Sequence, residues 1–149
     1  MNRIYCYVGL LIIVISAGCN YDIVTSKRLK ELDYRCIYVA PIDSEEPQIG
    51  QVIKDVIEKE FMRKKVKLCD PNNATIFMTG STFLTAKAVS SGTIIMSSSY
   101  SSQSIESVTL VAKDSNGEML LSASYDNKDR LGASKLAQEL GSAIADKLR

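Results

Sequence analysis

The sequence predicts an α/β (α+β) domain: a mixed sheet of about five strands in the order β-α-β-β-β-β-α, with the helices packed on the sheet. Three observations carry this. A strand-like run, a helical stripe and a second strand-like run follow one another within about 35 residues, the size of a βαβ unit. Three further apolar runs then follow, the last two separated by Asn116-Gly117. The chain closes on a second helical stripe.

The first strand is Arg35-Cys36-Ile37-Tyr38-Val39-Ala40-Pro41-Ile42, a β-branched and aromatic run stopped by a proline. Pro47 opens the first helix, because proline suits the first helical position. Ile49, Val52, Ile53, Val56, Ile57 and Phe61 then form one stripe, with Lys54, Asp55, Glu58 and Lys59 on the other side. Lys65-Val66-Lys67-Leu68-Cys69 reads as a strand parallel to the first, reached by a right-handed crossover and stopped by Asp70-Pro71-Asn72-Asn73. Residues 74–85 make a longer third strand, in which Gly80 marks a bulge. Residues 108–112 and 119–125 form a hairpin about Asn116-Gly117, since both of those residues accept positive φ. A helix spans residues 134–148. Leu136, Leu140, Ile144 and Leu148 recur at four-residue steps, and Ala137, Gly141 and Ala145 form a small-residue groove suited to packing on a sheet.

The N-terminus carries an address. Arg3 precedes an almost wholly apolar run over residues 4–15, followed by the small residues Ser16, Ala17 and Gly18. That is the order of a secretory signal. A dozen apolar residues fall short of the roughly 20 that a spanning helix needs. Ile15-Ser16-Ala17-Gly18-Cys19 resembles the lipobox of bacterial lipoproteins. The resemblance implies cleavage before Cys19 and a diacylglycerol on its thiol. Ser16 stands where lipoboxes usually carry leucine, and Ser16 with Gly18 also satisfies the small-x-small rule of ordinary signal peptidase. The expected division is a leader over residues 1–18, an acylated Cys19 with a tether over residues 19–34, and one globular domain over residues 35–149. Ser26-Lys27-Arg28-Leu29-Lys30-Glu31-Leu32 supplies a turn or two of helix within the tether. An aspartate after the cysteine would resemble the inner-membrane retention signal of enteric-type lipoproteins; with Asn20 there, the resemblance implies the outer membrane, facing the periplasm, in an envelope that has one.

Removing the leader takes away one charge, Arg3, and leaves 131 of 149 residues with acids and bases in balance. Such a chain has no electrostatic reason to seek nucleic acid. The cluster Arg63-Lys64-Lys65-Val66-Lys67 reads as a solvated helix end that complements the helix dipole. Asp43-Ser44-Glu45-Glu46 reads as charge complementarity at a helix start. The chain has no histidine, which removes the commonest general base and metal ligand. No phosphate loop, zinc pattern or nucleophile elbow is present. The reading is therefore non-enzymatic, without cofactor or metal.

Cys6 leaves with the leader, and Cys36 and Cys69 remain. At the start of one strand and the end of its parallel neighbour they would lie more than about 10 Å apart. A disulfide needs Cα atoms within about 7 Å. The expectation is two free, buried or half-buried thiols.

Between the third and fourth strands lies a serine-dominated segment, residues 89–104. In it Ile94, Ile95, Met96 and Tyr100 are large apolar residues in polar surroundings. One reading is a mobile loop or hairpin tip. The other is a partner-contact arm, since exposed residues of that kind mark interfaces.

Ile37-Tyr38-Val39-Ala40-Pro41-Ile42, Ile49-Gly50-Gln51-Val52-Ile53 and the run over residues 108–125 resemble small envelope lipoprotein domains related to the TolB amino-terminal domain. Relatives of that kind include the penicillin-binding-protein activator and curli-secretion lipoproteins. A similar element order resembles a lipopolysaccharide-assembly lipoprotein. The resemblance implies a membrane-anchored protein that binds an envelope partner during assembly or secretion. The alternative is a lipid- or lipopolysaccharide-handling protein with an apolar cavity lined by Phe77, Met78 and Phe83.

Overall fold

The computed structural model describes residues 21–32, 35–89 and 100–149, with side chains omitted from residues 86–89 and 100–103. Cys19, Ile94, Ile95 and Met96 lie outside the described residues, and of Tyr100 only the backbone is described. In chain order the elements are β1 (Tyr21–Thr25), α1 (Arg28–Glu31), β2 (Ile37–Val39), α2 (Pro47–Arg63), β3 (Ile76–Val89), β4 (Tyr100–Asp114), β5 (Met119–Asp126) and α3 (Ala133–Leu148). The five strands form one sheet in the order β1-β5-β4-β3-β2. Only β2 and β3 are parallel; every other pair is antiparallel. The expected mixed five-stranded sheet with packed helices is the observed fold.

Alternation along the strands sets the layers. Met78, Leu110, Ala112, Leu121 and Ala123 are fully buried and share one core with Ile53, Ile57 and Phe61 of α2 and Leu136, Leu140 and Ile144 of α3. Their neighbours Thr79, Thr109 and Ser124 are exposed on the other face. Each fully buried Leu, Ile or Phe contributes about 1.5–3 kcal/mol. The small-residue groove of α3 packs on α2 rather than on the sheet. A Cβ at Gly141 would stand 3.3 Å from Ile57 Cα and 3.4 Å from Glu60 Cβ. The buried line of α2 runs through Gly50, Ile53, Ile57, Glu60 and Phe61, while Val52 is 38% exposed. Glu60 enters that line because the Arg63 guanidinium binds its carboxylate.

Other expectations change as well. The segment assigned to a tether is structured: Tyr21–Thr25 pairs with β5 from Tyr21↔Tyr125 to Thr25↔Leu121, and Leu29 of α1 is 2% exposed in the core. The strand expected at residues 65–69 shrinks to one parallel bridge, Ile37↔Leu68. Lys65, at φ 62°, turns the chain sharply as it leaves α2.

That single bridge also corrects the thiols. Cys36 and Cys69 each adjoin the bridged pair, so their Cα atoms come within 5.6 Å and they form a disulfide. The expected separation rested on two full-length strands that the chain does not make.

Gly80 is not a bulge; the β3–β4 register shifts between Phe83 and Leu84. A Cβ at Gly80 would instead meet the Leu110 side chain and stand 2.8 Å from the Thr109 carbonyl oxygen. The β4–β5 hairpin forms as expected, but only Gly117 of the Asn116-Gly117 pair has positive φ, at 83°. Asp114 shapes this turn: its Oδ1 accepts the backbone N–H groups of Asn116 and Glu118, each at 2.9 Å.

Candidate contact surfaces

Strand direction separates two ends of the sheet. Tyr21, Tyr125, Val108 and Thr82 lie side by side across β1, β5, β4 and β3. The chain enters β1 at Tyr21, so Cys19 precedes this rung by two residues, at most about 7 Å of extended chain. The opposite end carries α1 and the β4–β5 turn. There Arg28 holds Asp114 at 3.0 Å and Glu118 at 2.8 Å.

At the Tyr21 end, β3 and β4 continue alone. Leu84 and Ile105 are register partners, each 6% exposed, and form the last rung over the core. Beyond them the two strands stay paired from Thr85↔Ser104 to Val89↔Tyr100. The Thr85 and Ser104 hydroxyls lie 3.2 Å apart on the first rung of this extension. β5 stops pairing with β4 at Ser107↔Asp126. The β5–α3 connection then turns in under the extension. Asn127 N–H donates to the Glu106 carbonyl at 2.8 Å, and its Nδ2 donates to Ile105 O at 2.9 Å and Leu131 O at 2.8 Å. Its Oδ1 accepts Leu131 N–H at 2.7 Å. Asn127 therefore closes the ladder where β5 ends.

Charge divides at the same place. Residues 71–105 contain no aspartate or glutamate and one cation, Lys87. Carboxylates resume at Glu106, which with Asp126, Asn127 and Lys128 lines a shallow hollow of about 390 Å³ at the foot of the extension. Asp43 joins this end through its backbone: its N–H donates to Gly80 O at 2.9 Å and its carbonyl accepts Thr82 N–H at 2.9 Å. A second hollow of about 540 Å³ lies beside the disulfide, lined in part by Tyr38, Met62, Leu68 and Cys69.

Two cations of the basic cluster, Arg63 and Lys64, are engaged in ion pairs. Arg63 binds Glu60, and Lys64 Nζ binds Asp146 of α3 at 2.8 Å. The Lys64 hydrogen bond holds the Asp146 carboxyl below its ordinary range, against a smaller opposing effect of burial. These cations tie α2 to its own buried acid and to α3. Phe77, Met78 and Phe83 do not line one cavity. Met78 faces the helices and is fully buried, while Phe77 and Phe83 lie on the other side of β3, where Phe83 is 60% exposed. Tyr38 meets Phe77 edge-on across β2 and β3, at 6.5 Å between ring centroids. Among the described residues no group of three or more His, Cys, Asp or Glu could hold a metal ion. Among them, too, no helix is long and apolar enough to cross a membrane.

Periodicity ended the third strand at Thr85 and left residues 89–104 between a loop, a hairpin tip and a contact arm; β3 runs on to Val89 and pairs there with Tyr100. On the β3 side Leu84-Thr85-Ala86-Lys87-Ala88 alternates as a strand does, whereas the serine-rich β4 side, Tyr100-Ser101-Ser102-Gln103-Ser104, carries no apolar alternation.

No protein-family model matches the sequence, and no curated protein matches it. Similarity is found at the level of the fold. Two structures of PelC dodecamers from Paraburkholderia phytofirmans, one of a point variant, match with a TM-score of 0.54. Their identities are 18% and 17%, and each match covers 86% of this chain and 95% of that one. A PDZ domain protein from Parabacteroides distasonis matches with a TM-score of 0.55 at 12% identity, over 85% of this chain and 34% of that one.

Proposed function

We propose that this chain is a lipid-anchored protein of the bacterial cell envelope. In this reading it is acylated on Cys19, sits at the outer membrane facing the periplasm, and acts without catalysis by binding a protein partner in envelope assembly or secretion. The observation that carries the reading is the fold: almost the whole chain matches PelC structures that are themselves dodecamers. Other copies of this chain are accordingly the first partner we assign. The lipobox-like stretch ending at Cys19 supports the anchor, and its separation from β1 by Asn20 alone would hold the domain close to the bilayer. The leader then covers residues 1–18, and the globular domain begins at Tyr21. The arm bearing Ile94, Ile95, Met96 and Tyr100 serves as a contact element.

Two measurements test this. Metabolic labelling with an alkyne palmitate should mark the wild-type chain and not a Cys19→Ser variant; equal labelling of both overturns the anchor. Native mass spectrometry of the full chain extracted from envelopes should show a homo-oligomer. A strictly monomeric species at micromolar concentration, with no envelope protein retained, overturns the partner-binding role.

A further inference from the structure

We propose that the two-stranded extension of β3 and β4, residues 85–89 paired with 100–104, is a second membrane contact, laid into the interfacial layer of the bilayer that holds the acyl chains of Cys19. This rests on the anchored reading of Cys19 and adds a surface to it. The argument begins with strand register. Tyr21 and Thr82 share a rung, β1 runs away from that rung, and β3 runs past it. The end of the sheet at which β1 begins is therefore the end from which the extension projects. Val89 stands seven residues beyond Thr82, about 23 Å at the rise of a strand. Cys19 stands two residues beyond Tyr21, about 7 Å. The extension overreaches the acylation site by about 16 Å. It lies about 14 Å to the side, three strand spacings along the sheet. With Cys19 at the surface and this end of the sheet directed towards it, the described part of the hairpin enters the headgroup layer or lies along it.

Its composition suits that layer. Residues 71–105 lack any carboxylate, which anionic headgroups would repel, and Lys87 is the one cation. Asp22, Glu106 and Asp126 lie within two residues of the Tyr21 rung, and the extension reaches past them. Seven residues fall short of the 9–11 or so that a spanning strand needs, so the described strands reach the interface without crossing.

The test uses the full acylated chain in vesicles of phosphatidylethanolamine and phosphatidylglycerol. An environment-sensitive fluorophore is attached to Ala88→Cys on the extension, and in a second protein to Ser115→Cys in the β4–β5 turn at the opposite end. The Ala88 probe should shift to the blue and lose emission to nitroxide-labelled lipids, while the Ser115 probe should respond only to aqueous iodide. Iodide quenching of both probes alike overturns the proposal. So does protection of the Ala88 probe in detergent that depends on an added protein, which would assign the hairpin to a protein contact. The intact mass of the same sample reports acylation independently. An unmodified Cys19 overturns the anchor and this inference together, whereas an aqueous Ala88 probe on an acylated chain overturns the hairpin contact alone.

Discussion

The Asn127 carboxamide donates to the Ile105 carbonyl at 2.9 Å, at the point where β5 no longer pairs with β4. It supplies from a side chain the hydrogen bond that a longer β5 would have supplied from its backbone. Asn127 is 7% exposed and makes two further side-chain bonds, to the backbone of Leu131. Removing it leaves buried backbone groups without partners, at about 1–3 kcal/mol for such a group. Asn127→Ala should therefore lower stability by about 2–3 kcal/mol. Amide exchange at the foot of the β3–β4 extension should quicken more than in α3. Uniform acceleration across the domain would show that Asn127 does not hold the hairpin specifically.

The Cys36–Cys69 disulfide closes a loop that includes all of α2, with a sequence separation of 33. Loop-closure entropy for that length corresponds to about 3–4 kcal/mol of destabilisation on removal. Reduction, or Cys36→Ala with Cys69→Ala, should lower the denaturant midpoint accordingly without dissolving the sheet, since Ile37 to Val39 still pairs with β3. Equal midpoints for the oxidised and reduced chains would contradict this.

Legibility followed burial. The α3 stripe through Leu136, Leu140, Ile144 and Leu148 could be read because all four side chains are buried. The β4–β5 hairpin could be read from Asn116-Gly117, although Asp114 organises the turn. β1 was legible in principle: Tyr21 and Ile23 alternate with the exposed Asp22 and Val24. Its place directly after Cys19 suggested a tether instead, because local pattern says nothing of an edge at β5. Lys65-Val66-Lys67-Leu68-Cys69 alternates like a strand, yet pairs only at Leu68. The strand total agreed because a missed edge strand offset one that was never formed. The hairpin extension was half legible. Leu84-Thr85-Ala86-Lys87-Ala88 alternates like a strand, but Tyr100-Ser101-Ser102-Gln103-Ser104 does not, so the segment read as a loop, a hairpin tip or a contact arm.

Gly141 sets the spacing of α2 and α3. Alanine there gains about 1 kcal/mol of helix propensity but brings its Cβ to 3.3 Å from Ile57 Cα, so Gly141→Ala should be close to neutral. Gly141→Leu must push the helices apart and should cost about 1–3 kcal/mol. Thermal melts of the two variants check the pair. A leucine variant as stable as wild type would mean that the helix interface yields freely at this point.

Arg28 and Asp114 join α1 to the β4–β5 turn, and their contact makes stability depend on pH. Burial alone would raise the Asp114 carboxyl. The N–H groups of Glu118 and Asn116, together with the Arg28 guanidinium, outweigh it and hold the carboxyl below its ordinary value near 3.8. A carboxyl depressed in the folded state binds protons more readily when unfolded, so its contribution is complete above that ordinary value and is lost as pH falls through the folded one. Asp114→Asn keeps an oxygen for the turn but loses the ion pair with Arg28. The stability difference between wild type and Asp114→Asn should stay constant from neutrality down to about pH 5 and narrow steadily below about pH 4. Urea denaturation across that range reads it directly. A difference that persists unchanged at pH 2 would show that the Asp114 carboxylate adds nothing through its charge.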